Sequence, residues 1–544
     1  MKVCNVARFL PEAAAHTPHH CAVRVPSTRR RQGDIRYISR TFNELEEESN
    51  AVACYFQRCG VGRGAKVLLM VKPGLELILS TFALFKIGAV PVLIDPGMGL
   101  KHFLTCVERN QPSALVGIPV AHWLSRLFCK KFQSISVRVP IGNRAYRQGV
   151  AACSGQPFTI ADTQQDELAA ILFTSGSTGP PKGVEYQHGM FEAQVELIRQ
   201  QFCIQPEEVD LPMLPIFALF NPAMGMTTVV PEMNPGKPAT VDPARIVQAI
   251  QQNGVTNSFG SPVLWTKIGR YCREHAITLP SIRRLLIAGA PVSPELMRMF
   301  KQIIPNGEIY SPYGATEALP IASISSESVL NKTWSKTEQG MGTCVGQLLP
   351  NIQVKIIQIT DEVIDAWRAD LELPAGQIGE IIVKGPVVTQ AYHGLAAATA
   401  HAKIREGDRY WHRMGDLGYI DAAGWLWFCG RKAERVQLAD GTTLYTDCCE
   451  GIVNQHKHVF RSALIGLGQP GQHIPALVIE PEKPVRSSPD ALLKSVRTHT
   501  ARFAMLSGIE HYFIHPDFPV DVRHNAKIHR LTLKRLFEKK VLLT

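Results

Sequence analysis

One loop of small and hydroxylated residues is the segment of this sequence best suited to hold phosphate groups. It lies in ELAAILFTSGSTGPPKGV, where the apolar residues 169–173 predict a buried strand leading into the loop. Because the side chains that follow are short, backbone N–H groups and hydroxyls can surround phosphate oxygens. The residues that we assign to this phosphate site are Thr174, Ser175, Gly176, Ser177, Thr178, Gly179 and Lys182.

Two other interpretations explain this loop less well. The P-loop of nucleoside triphosphatases has the pattern GxxxxGK[ST], whereas here Pro181 precedes Lys182 and Gly183 follows it. A flexible surface loop does not account for eight consecutive small, hydroxylated or proline residues between an apolar strand and a lysine. The pattern therefore favours binding of a nucleotide by a different kind of loop.

The elements around the loop alternate between helix and strand. A helix that starts in the acidic segment after residue 41 leads into a strand at 66–71, and a second apolar helix leads into a strand at 90–94. Further apolar runs at 255–259 and 285–287 end in small residues, as strands of a parallel sheet do at their ligand-facing loops. This alternation predicts βαβ units and an α/β fold with a mostly parallel, helix-flanked sheet.

The length of 544 residues predicts more than one domain. After residue 340 the apolar runs shorten, as in IQVKIIQI and GEIIVKG. The last of these short runs is GWLWFCGRK. We place the boundary near Arg431, between a large domain at 1–430 and a small α+β domain at 431–544.

Composition limits the environment and the partners. The net charge is +11, but the basic residues are scattered, and only the run at 29–31 is clustered, without aromatic neighbours. This balance fits a protein that binds anions such as nucleotides, or one that approaches acidic membranes, and it gives no reason to expect a nucleic acid partner. Thirteen cysteines without regular spacing indicate a reducing cytoplasm, and no apolar stretch is long enough for a transmembrane segment.

Four segments together resemble the signatures of the adenylate-forming superfamily, which includes acyl-CoA synthetases, luciferases and the adenylation domains of peptide synthetases. They are the loop FTSGSTGPPKG, then YSPYGATEALP, HRMGDLGYID and VDVRHNAKIHRLTLKRL. The resemblance covers nearly the whole chain, and the four segments follow the order of the family. It implies that residues 1–430 bind AMP and an acyl group, and that 431–544 form a mobile domain with a catalytic lysine.

The resemblance assigns a role to each candidate residue. Thr316 would contact the α-phosphate of ATP, Glu317 would hold Mg²⁺, and Lys527 would act in the first half-reaction. The residues implied for the adenine and ribose are Gly289, Ala290, Pro291, Tyr313, Gly314, Asp416 and Arg431.

These residue types suit the chemistry of adenylation. A carboxylate that attacks the α-phosphorus of ATP brings two anions together, so Mg²⁺ and a lysine must neutralise the developing charge. Asp416 suits the two ribose hydroxyls because an ionised carboxylate accepts hydrogen bonds with two oxygens. The expected products are an acyl-AMP and pyrophosphate.

The sequence departs from the acyl-CoA synthetase pattern at the joint between the domains. Ala433 stands where an acidic hinge residue is usual, and ADGTTLYTDCCE replaces the loop that lines the pantetheine channel. Asp440-Gly441 predicts a turn, and residues 442–445 a short strand. These departures argue against a pantetheine channel of the usual kind.

A second departure lies in LPMLPIFALFNPAMGM, where many relatives carry a histidine or an aromatic residue at the position of Ala218. A small residue there opens space for a bulky acyl group. The apolar residues that would line such a pocket, or that belong to ordinary core, are Phe217, Ala218, Leu219, Phe220 and Met224.

These features resemble one branch of the superfamily in particular, the β-lactone synthetases of bacterial long-chain olefin biosynthesis. That branch adenylates a long-chain 2-alkyl-3-hydroxy fatty acid, and the 3-hydroxyl of the substrate then displaces AMP to close a β-lactone. The resemblance also implies a complex with other enzymes of the olefin pathway. An internal nucleophile needs no channel for a second substrate, which agrees with the altered joint.

Two alternatives to this function are a long-chain acyl-CoA synthetase or fatty acyl-AMP ligase, and a scaffold without catalytic activity that binds a nucleotide or lipid. The base that activates the 3-hydroxyl has no clear candidate in the sequence. We interpret His188 as a residue at the start of a helix, and Cys448 and Cys449 as buried packing rather than nucleophiles.

Overall fold

The computed structural model describes residues 4–27, 33–174, 180–234, 236–484, 488–521 and 528–542. A six-stranded sheet organises the first part of the chain. In spatial order its strands are Val137–Pro140, Ala114–Gly117, Lys66–Met70, Val90–Leu93, Leu168–Phe173 and Gly183–Gln187. The first five are parallel, and Gly183–Gln187 pairs antiparallel with Leu168–Phe173.

Helices supply the crossovers that parallel strands require. The helices of this part are Phe9–His16, Phe42–Arg58, Leu75–Ile87, Leu100–Asn110, Pro119–Leu127, Arg144–Ala151 and His188–Gln201. Helix Phe42–Arg58 begins where the Thr41 hydroxyl accepts from the Glu44 backbone while the Glu44 carboxylate accepts from the Thr41 backbone. Helix Leu75–Ile87 ends at Gly88, whose φ of +75° is the left-handed conformation that favours glycine. The predicted βαβ alternation is confirmed.

A second, 14-stranded sheet is parallel at one end and antiparallel at the other. Its strands in spatial order are Gln353–Ile357, Gly379–Lys384, Arg409–Ile420, Leu426–Arg431, Thr343–Leu348, Ala318–Ser325, Glu308–Ala315, Arg284–Ile287, Asn257–Gly260, Val209–Pro212, Thr227–Val229, Cys21–Pro26 and Tyr37–Thr41, with Lys403–Glu406 paired to Arg409–Ile420. The parallel half runs from Glu308–Ala315 to Cys21–Pro26. Its helices are Pro243–Asn253, Pro262–Glu274 and Pro294–Ile303, and shorter helices occur at Ser326–Ser328, Trp334–Thr337 and Ala396–Ala402.

The main apolar core lies between the two sheets. It joins aromatic side chains of the early helices, such as Phe42, Phe56 and Phe82, to residues that precede and follow the large sheet's strands, such as Met226 and Tyr392. Burial of this kind is the main favourable term in folding. The core fixes the position of the strand ends of both sheets relative to each other.

The last part of the chain builds two small sheets of its own. Val436–Gln437 pairs with Thr443–Leu444, and Val459–Leu467, Ile474–Pro481 and His511–Ile514 form a three-stranded sheet. The helices are Thr446–Val453, Pro489–Thr500 and Arg530–Leu542, with apolar clusters of their own. A large, sheet-rich N-terminal part and a smaller α+β C-terminal part agree with the predicted fold class. None of the helices in the described ranges combines the length and the apolar character that crossing a membrane requires.

Candidate active site

Several predicted motifs lie at one edge of the large sheet. Strands Val209–Pro212, Asn257–Gly260, Arg284–Ile287 and Glu308–Ala315 are mutually parallel, so their carboxyl ends meet at the same edge. The segments that follow these strands include Ala218, Gly289 and the Thr316-Glu317 pair. The carboxyl edge of parallel strands is the usual location of ligand sites in α/β folds. The fold therefore brings together motifs that are distant in sequence.

Thr316 and Glu317 form the tip of a tight hairpin. Ala315 and Ala318 are paired across it, so these two residues make the whole connection. A Cβ on Gly314 would stand 2.6 Å from the Ala318 carbonyl oxygen, which explains the glycine in this segment. The Tyr186 hydroxyl donates to the Thr316 carbonyl at 2.5 Å and anchors the tip to the six-stranded sheet.

Asp416 is the centre of a buried polar cluster. Its carboxylate accepts from the Tyr313 hydroxyl at 2.6 Å and is 2.7 Å from the Arg431 guanidinium. Asp416 and Arg431 are direct cross-strand partners, and Asp416 is 3% exposed. Burial and the adjacent Asp416 carboxylate raise the pKa of the Tyr313 hydroxyl, which therefore remains a hydrogen-bond donor. Three residues that the sequence assigned to adenine and ribose are in direct contact here.

The three residues predicted to flank the adenine occupy the loop after strand Arg284–Ile287. Gly289 has a φ of +93°, Gly289 and Pro291 are exposed, and Ala290 is half-buried. The following helix Pro294–Ile303 is capped by the Ser293 hydroxyl, which accepts from the Leu296 N–H. Strands Arg284–Ile287 and Glu308–Ala315 are parallel neighbours. The loop after the first strand and Tyr313 near the end of the second therefore lie at the same edge of the sheet.

Glu317 is oriented by a tyrosine that the sequence analysis missed. The Tyr392 hydroxyl donates to Glu317 Oε1 at 2.6 Å, and the Thr389 N–H donates to the Glu317 carbonyl at 2.9 Å. Lys182 Nζ stands 4.7 Å from the centre of the Tyr392 ring, within the range of a cation–π contact. Tyr392 thus joins the candidate metal ligand to the lysine that closes the phosphate loop.

Glu317 fits the requirements of Mg²⁺. This cation prefers oxygen ligands and takes only one or two carboxylates when substrate phosphates and water complete its shell. Tyr392 occupies one oxygen of the Glu317 carboxylate and holds the group in place, as hydrogen-bonded supports of metal ligands commonly do. No group of three or more His, Cys, Asp or Glu side chains suited to a metal occurs within the described ranges.

The ends of the phosphate loop are fixed by backbone pairing. The Thr174 N–H donates to the Lys182 carbonyl at 3.1 Å, and the Lys182 N–H donates to the Thr174 hydroxyl at 3.3 Å. The flanking strands Leu168–Phe173 and Gly183–Gln187 make the loop the connection of a hairpin. Ser175, Gly176, Ser177, Thr178 and Gly179 lie outside the described residues, as does Lys527.

A buried lysine beside this cluster also escaped the sequence analysis. Lys403 donates to the carbonyl and the hydroxyl of Thr389, the residue whose N–H binds the Glu317 carbonyl. Burial lowers the pKa of Lys403 to about 7, and the Glu317 carboxylate partly opposes this shift. Its cross-strand partner is the buried His412. The sequence signal that could have found this pair is the presence of two polar residues, Lys403 and His412, at inward positions of paired strands.

The predicted acyl residues lie at or near the main core. Ala218 belongs to this core and also lines a narrow cleft between the ends of Lys66–Met70 and Val209–Pro212. The residues lining it are Pro73, Gly74, Leu77, Ile78, Pro212, Met213, Pro215, Ala218, Val230, Pro231 and Met233. Phe220 and Met224 are buried in the main core, and Phe217 and Leu219 pack against it. The Phe217 ring also stacks on Phe259 at 4.1 Å between centres.

The structural interpretation of His188 and the two cysteines is confirmed. Helix His188–Gln201 begins at His188, whose Nδ1 accepts from the Val6 N–H at 3.2 Å. Burial lowers the pKa of His188 to about 4, so the ring is neutral at physiological pH. Cys448 and Cys449 are 1% and 0% exposed and belong to apolar clusters.

The unusual joint packs as a short hairpin followed by a helix. The predicted strand at 442–445 is present as Thr443–Leu444, and helix Thr446–Val453 follows at once. Arg530 binds this segment with ion pairs to Glu434 at 2.7 Å and to Glu450 at 2.6 Å. Ala433 thus lies next to Glu434, one of the two residues that anchor the start of the last helix.

Comparisons with known proteins show what the chain as a whole is similar to. A family model described as AMP-binding enzyme matches residues 10–393. The olefin beta-lactone synthetase of Xanthomonas campestris pv. campestris is 44% identical over 542 residues, covering 97% of this chain and 96% of the relative. The olefin beta-lactone synthetase of Stenotrophomonas maltophilia is 42% identical, covering 97% of each. The solved structure of ATP-bound MatB from Rhodopseudomonas palustris shares the fold, with a TM-score of 0.79, 20% identity and coverage of 99% and 100%.

Proposed function

We propose that this chain, which belongs to the AMP-binding enzyme family, converts a long-chain 2-alkyl-3-hydroxy fatty acid into a β-lactone. The chain is an AMP-forming ligase that activates a carboxylic acid with ATP. The observation that carries the lactone proposal is the likeness to two olefin beta-lactone synthetases over 97% of the chain, including the residues after 430.

The first step would join the substrate carboxylate to the α-phosphorus of ATP. A carboxylate oxygen forms the new P–O bond, and the bond to pyrophosphate breaks. Mg²⁺ held by Glu317 would supply positive charge to the phosphate oxygens. Lys182 brings a further cation to the phosphate loop, and the carboxylate of Asp416 would accept from the ribose hydroxyls. The contacts of Tyr392 with Glu317 and of Tyr313 with Asp416 support this assignment.

The second step would close the four-membered ring. The oxygen of the 3-hydroxyl bonds to the acyl carbon, the bond to AMP breaks, and the hydroxyl proton is released. Because both reacting groups belong to one molecule, the site only needs to hold them at about 3 to 3.5 Å. The replaced channel loop supports this step, since its segment now forms the hairpin and the packed helix Thr446–Val453.

In this proposal the residues divide between two domains, 1–430 and 431–544. The large domain would hold the nucleotide and the acyl group, with Ala218 at the acyl side. The small domain would bring Lys527 to the first step. Assembly with other enzymes of an olefin pathway is a further prediction of the same assignment.

One experiment separates the alternatives. Purified protein is incubated with ATP, Mg²⁺ and a long-chain 2-alkyl-3-hydroxy acid, with and without CoA, and AMP and the organic product are measured. We expect a β-lactone without CoA. A thioester formed only with CoA would identify an acyl-CoA synthetase, and an acyl-AMP without ring closure would identify an acyl-AMP ligase. Absence of turnover with any acid would indicate a scaffold.

The role of Lys527 can be tested in the two half-reactions. Lys527→Ala should impair formation of acyl-AMP by about 100-fold or more, because a positive charge that stabilises the transition state is lost. Ring closure from supplied acyl-AMP should change far less. The matched control is Lys539→Ala, which removes an exposed lysine of the last helix. An equal loss in both half-reactions would contradict this division.

A further inference from the structure

The helix Pro119–Leu127 carries three of its large apolar side chains on the outside. Val120, Trp123 and Leu127 are 67%, 62% and 58% exposed. Their spacing of three and four residues places them on one face of the helix. A helix on the surface of a globular protein normally shows the opposite arrangement, with its apolar face toward the core.

The inner face of this helix combines a buried histidine with apolar side chains. His122 is buried, and its Nε2 lies 3.1 Å from the Gly117 carbonyl oxygen and 3.2 Å from the Val139 carbonyl oxygen. The Ser125 hydroxyl donates to the His122 carbonyl at 2.8 Å, and Ala121 and the partly buried Leu124 pack into an apolar cluster. These contacts fix the helix orientation, so the apolar face cannot turn inward without breaking buried hydrogen bonds.

The segment of the chain that contains this helix is strongly basic. Residues 96–160 contain eight lysines and arginines and one acidic residue, Glu108. Arg126 and Lys130 are exposed beside the apolar side chains, whereas Lys131 is paired with Glu108 at 2.5 Å. Most of the net charge of the chain therefore lies in this stretch, which the sequence showed only as scattered basic residues.

We propose that the basic apolar face, formed by Val120, Trp123, Leu127, Arg126 and Lys130, docks on the surface of an anionic lipid bilayer. Apolar side chains that insert at the headgroup level, with lysine and arginine beside them, are the arrangement of interfacial helices. Tryptophan favours the membrane–water interface, and each basic residue near the surface adds attraction to anionic lipids. Basic residues accompany this exposed apolar stripe, which suits an anionic lipid surface better than a second copy of the same basic region.

The position of the face is consistent with delivery of an apolar substrate. The Ile118 N–H donates to the Met70 carbonyl at 3.0 Å, where strand Lys66–Met70 ends. The same strand end leads to Pro73 and Gly74, which line the cleft beside Ala218. A bilayer bound at this face would thus approach the edge of the molecule on which the apolar cleft lies. The docking proposal itself does not depend on the chemistry of the substrate.

Binding to vesicles tests the proposal without measuring turnover. Full-length protein is sedimented with vesicles of phosphatidylcholine alone and with vesicles containing phosphatidylglycerol, at low and high salt. We expect binding only to the anionic vesicles and loss of binding at high salt. The variant Val120→Ser/Trp123→Ser/Leu127→Ser should bind at least about 10-fold more weakly, and so should Arg126→Glu/Lys130→Glu. Phe460→Ser removes another exposed aromatic, at 52% exposure, and should bind as the wild type.

Fluorescence provides a second measurement at the same residue. Trp123 is the most exposed of the seven tryptophans, so the difference between wild type and Trp123→Phe should show a blue shift and protection from acrylamide on anionic vesicles. Unchanged vesicle binding by the serine variant would overturn the proposal, as would equal binding to neutral vesicles. A serine variant that dissociates a dimer, with no vesicle binding by the wild type, would also overturn it.

Discussion

The nucleotide side and the acyl side of the candidate site are built by different forces. On the nucleotide side, directional contacts hold Asp416 and Glu317, through Tyr313 and Arg431 in one case and Tyr392 in the other. On the acyl side, Ala218 belongs to a cleft whose lining is almost entirely apolar. A directional contact is lost when one atom is removed, whereas an apolar wall changes only when volume or shape changes. The two sides should therefore respond to different kinds of substitution.

The largest effect is expected from Asp416→Asn. The substitution removes a negative charge that Arg431 and Tyr313 both contact and replaces one acceptor with a donor, so the geometry for a ribose diol is lost. We expect kcat/KM for ATP, measured by pyrophosphate release, to fall by about 100-fold or more. Asp408→Asn makes the same chemical change at an exposed turn and serves as the control. Retained activity in Asp416→Asn would place the ribose elsewhere.

A smaller effect is expected from Tyr392→Phe. The ring remains beneath Lys182, but the hydroxyl that holds Glu317 Oε1 is lost. We expect about a 10-fold lower rate of acyl-AMP formation and a higher Mg²⁺ concentration for half-maximal activity, because the support of a metal ligand has been removed. Tyr419→Phe is the control, since its hydroxyl donates to the Met341 carbonyl. A lower rate with an unchanged Mg²⁺ dependence would argue against Glu317 as the metal ligand.

The acyl side should respond to volume. Ala218→Phe would fill part of the cleft, so a long-chain acid should lose about 10-fold in kcat/KM while a short acid changes little. Acyl-AMP formation with the two acids gives the comparison, and the unfolding midpoint checks that the buried site tolerates the larger side chain. Equal losses for both acids would indicate that Ala218 is ordinary core.

The same contrast explains what the sequence could predict. Adenylation requires particular donors and acceptors, so Thr316, Glu317 and Asp416 could be assigned from motifs, and glycines marked the turns that carry them. Tyr392 could not be found in this way, because 75 residues separate it from Glu317 and only isolated bridges, such as Ala318–Val388, bring the two segments together. An apolar residue gives less information still. The sequence around Ala218 could not show that, of the core residues Ala218, Phe220 and Met224, Ala218 also lines a cleft.

The helix Pro119–Leu127 shows a second limit of sequence patterns. Helical periodicity predicts that Val120, Trp123 and Leu127 share one face, but it does not state whether that face points inward. The direction is set by the hydrogen bonds of His122 to two carbonyl groups of the adjacent strands and by the packing of Ala121 and Leu124 against an apolar cluster. Contacts that depend on the neighbouring strand order therefore decide which side of this helix is exposed.

The smallest effect concerns a residue outside both sides of the site. His188→Asn should leave acyl-AMP formation within about twofold, because His188 is buried against Phe85 and binds the Val6 N–H rather than a reacting group. Its effect should appear in stability instead. Folding holds the pKa of His188 at about 4, below its ordinary value of 6.5. As the pH falls from 6.5 to about 4, the unfolded chain binds a proton at this histidine and the folded chain does not. The free energy of unfolding therefore decreases over this range.

Urea unfolding at pH 7.5 and pH 5 measures this contribution. Each pH unit within the window costs the wild type up to about 1.4 kcal/mol through this residue, and the cost is absent above pH 6.5. His188→Asn should remove that part of the acid sensitivity, although it loses some stability at both pH values with the buried contacts. His16→Asn, at an exposed helix end, should keep the pH dependence of the wild type. If His188→Asn and His16→Asn both keep the pH dependence of the wild type, His188 does not contribute to the acid sensitivity of folding.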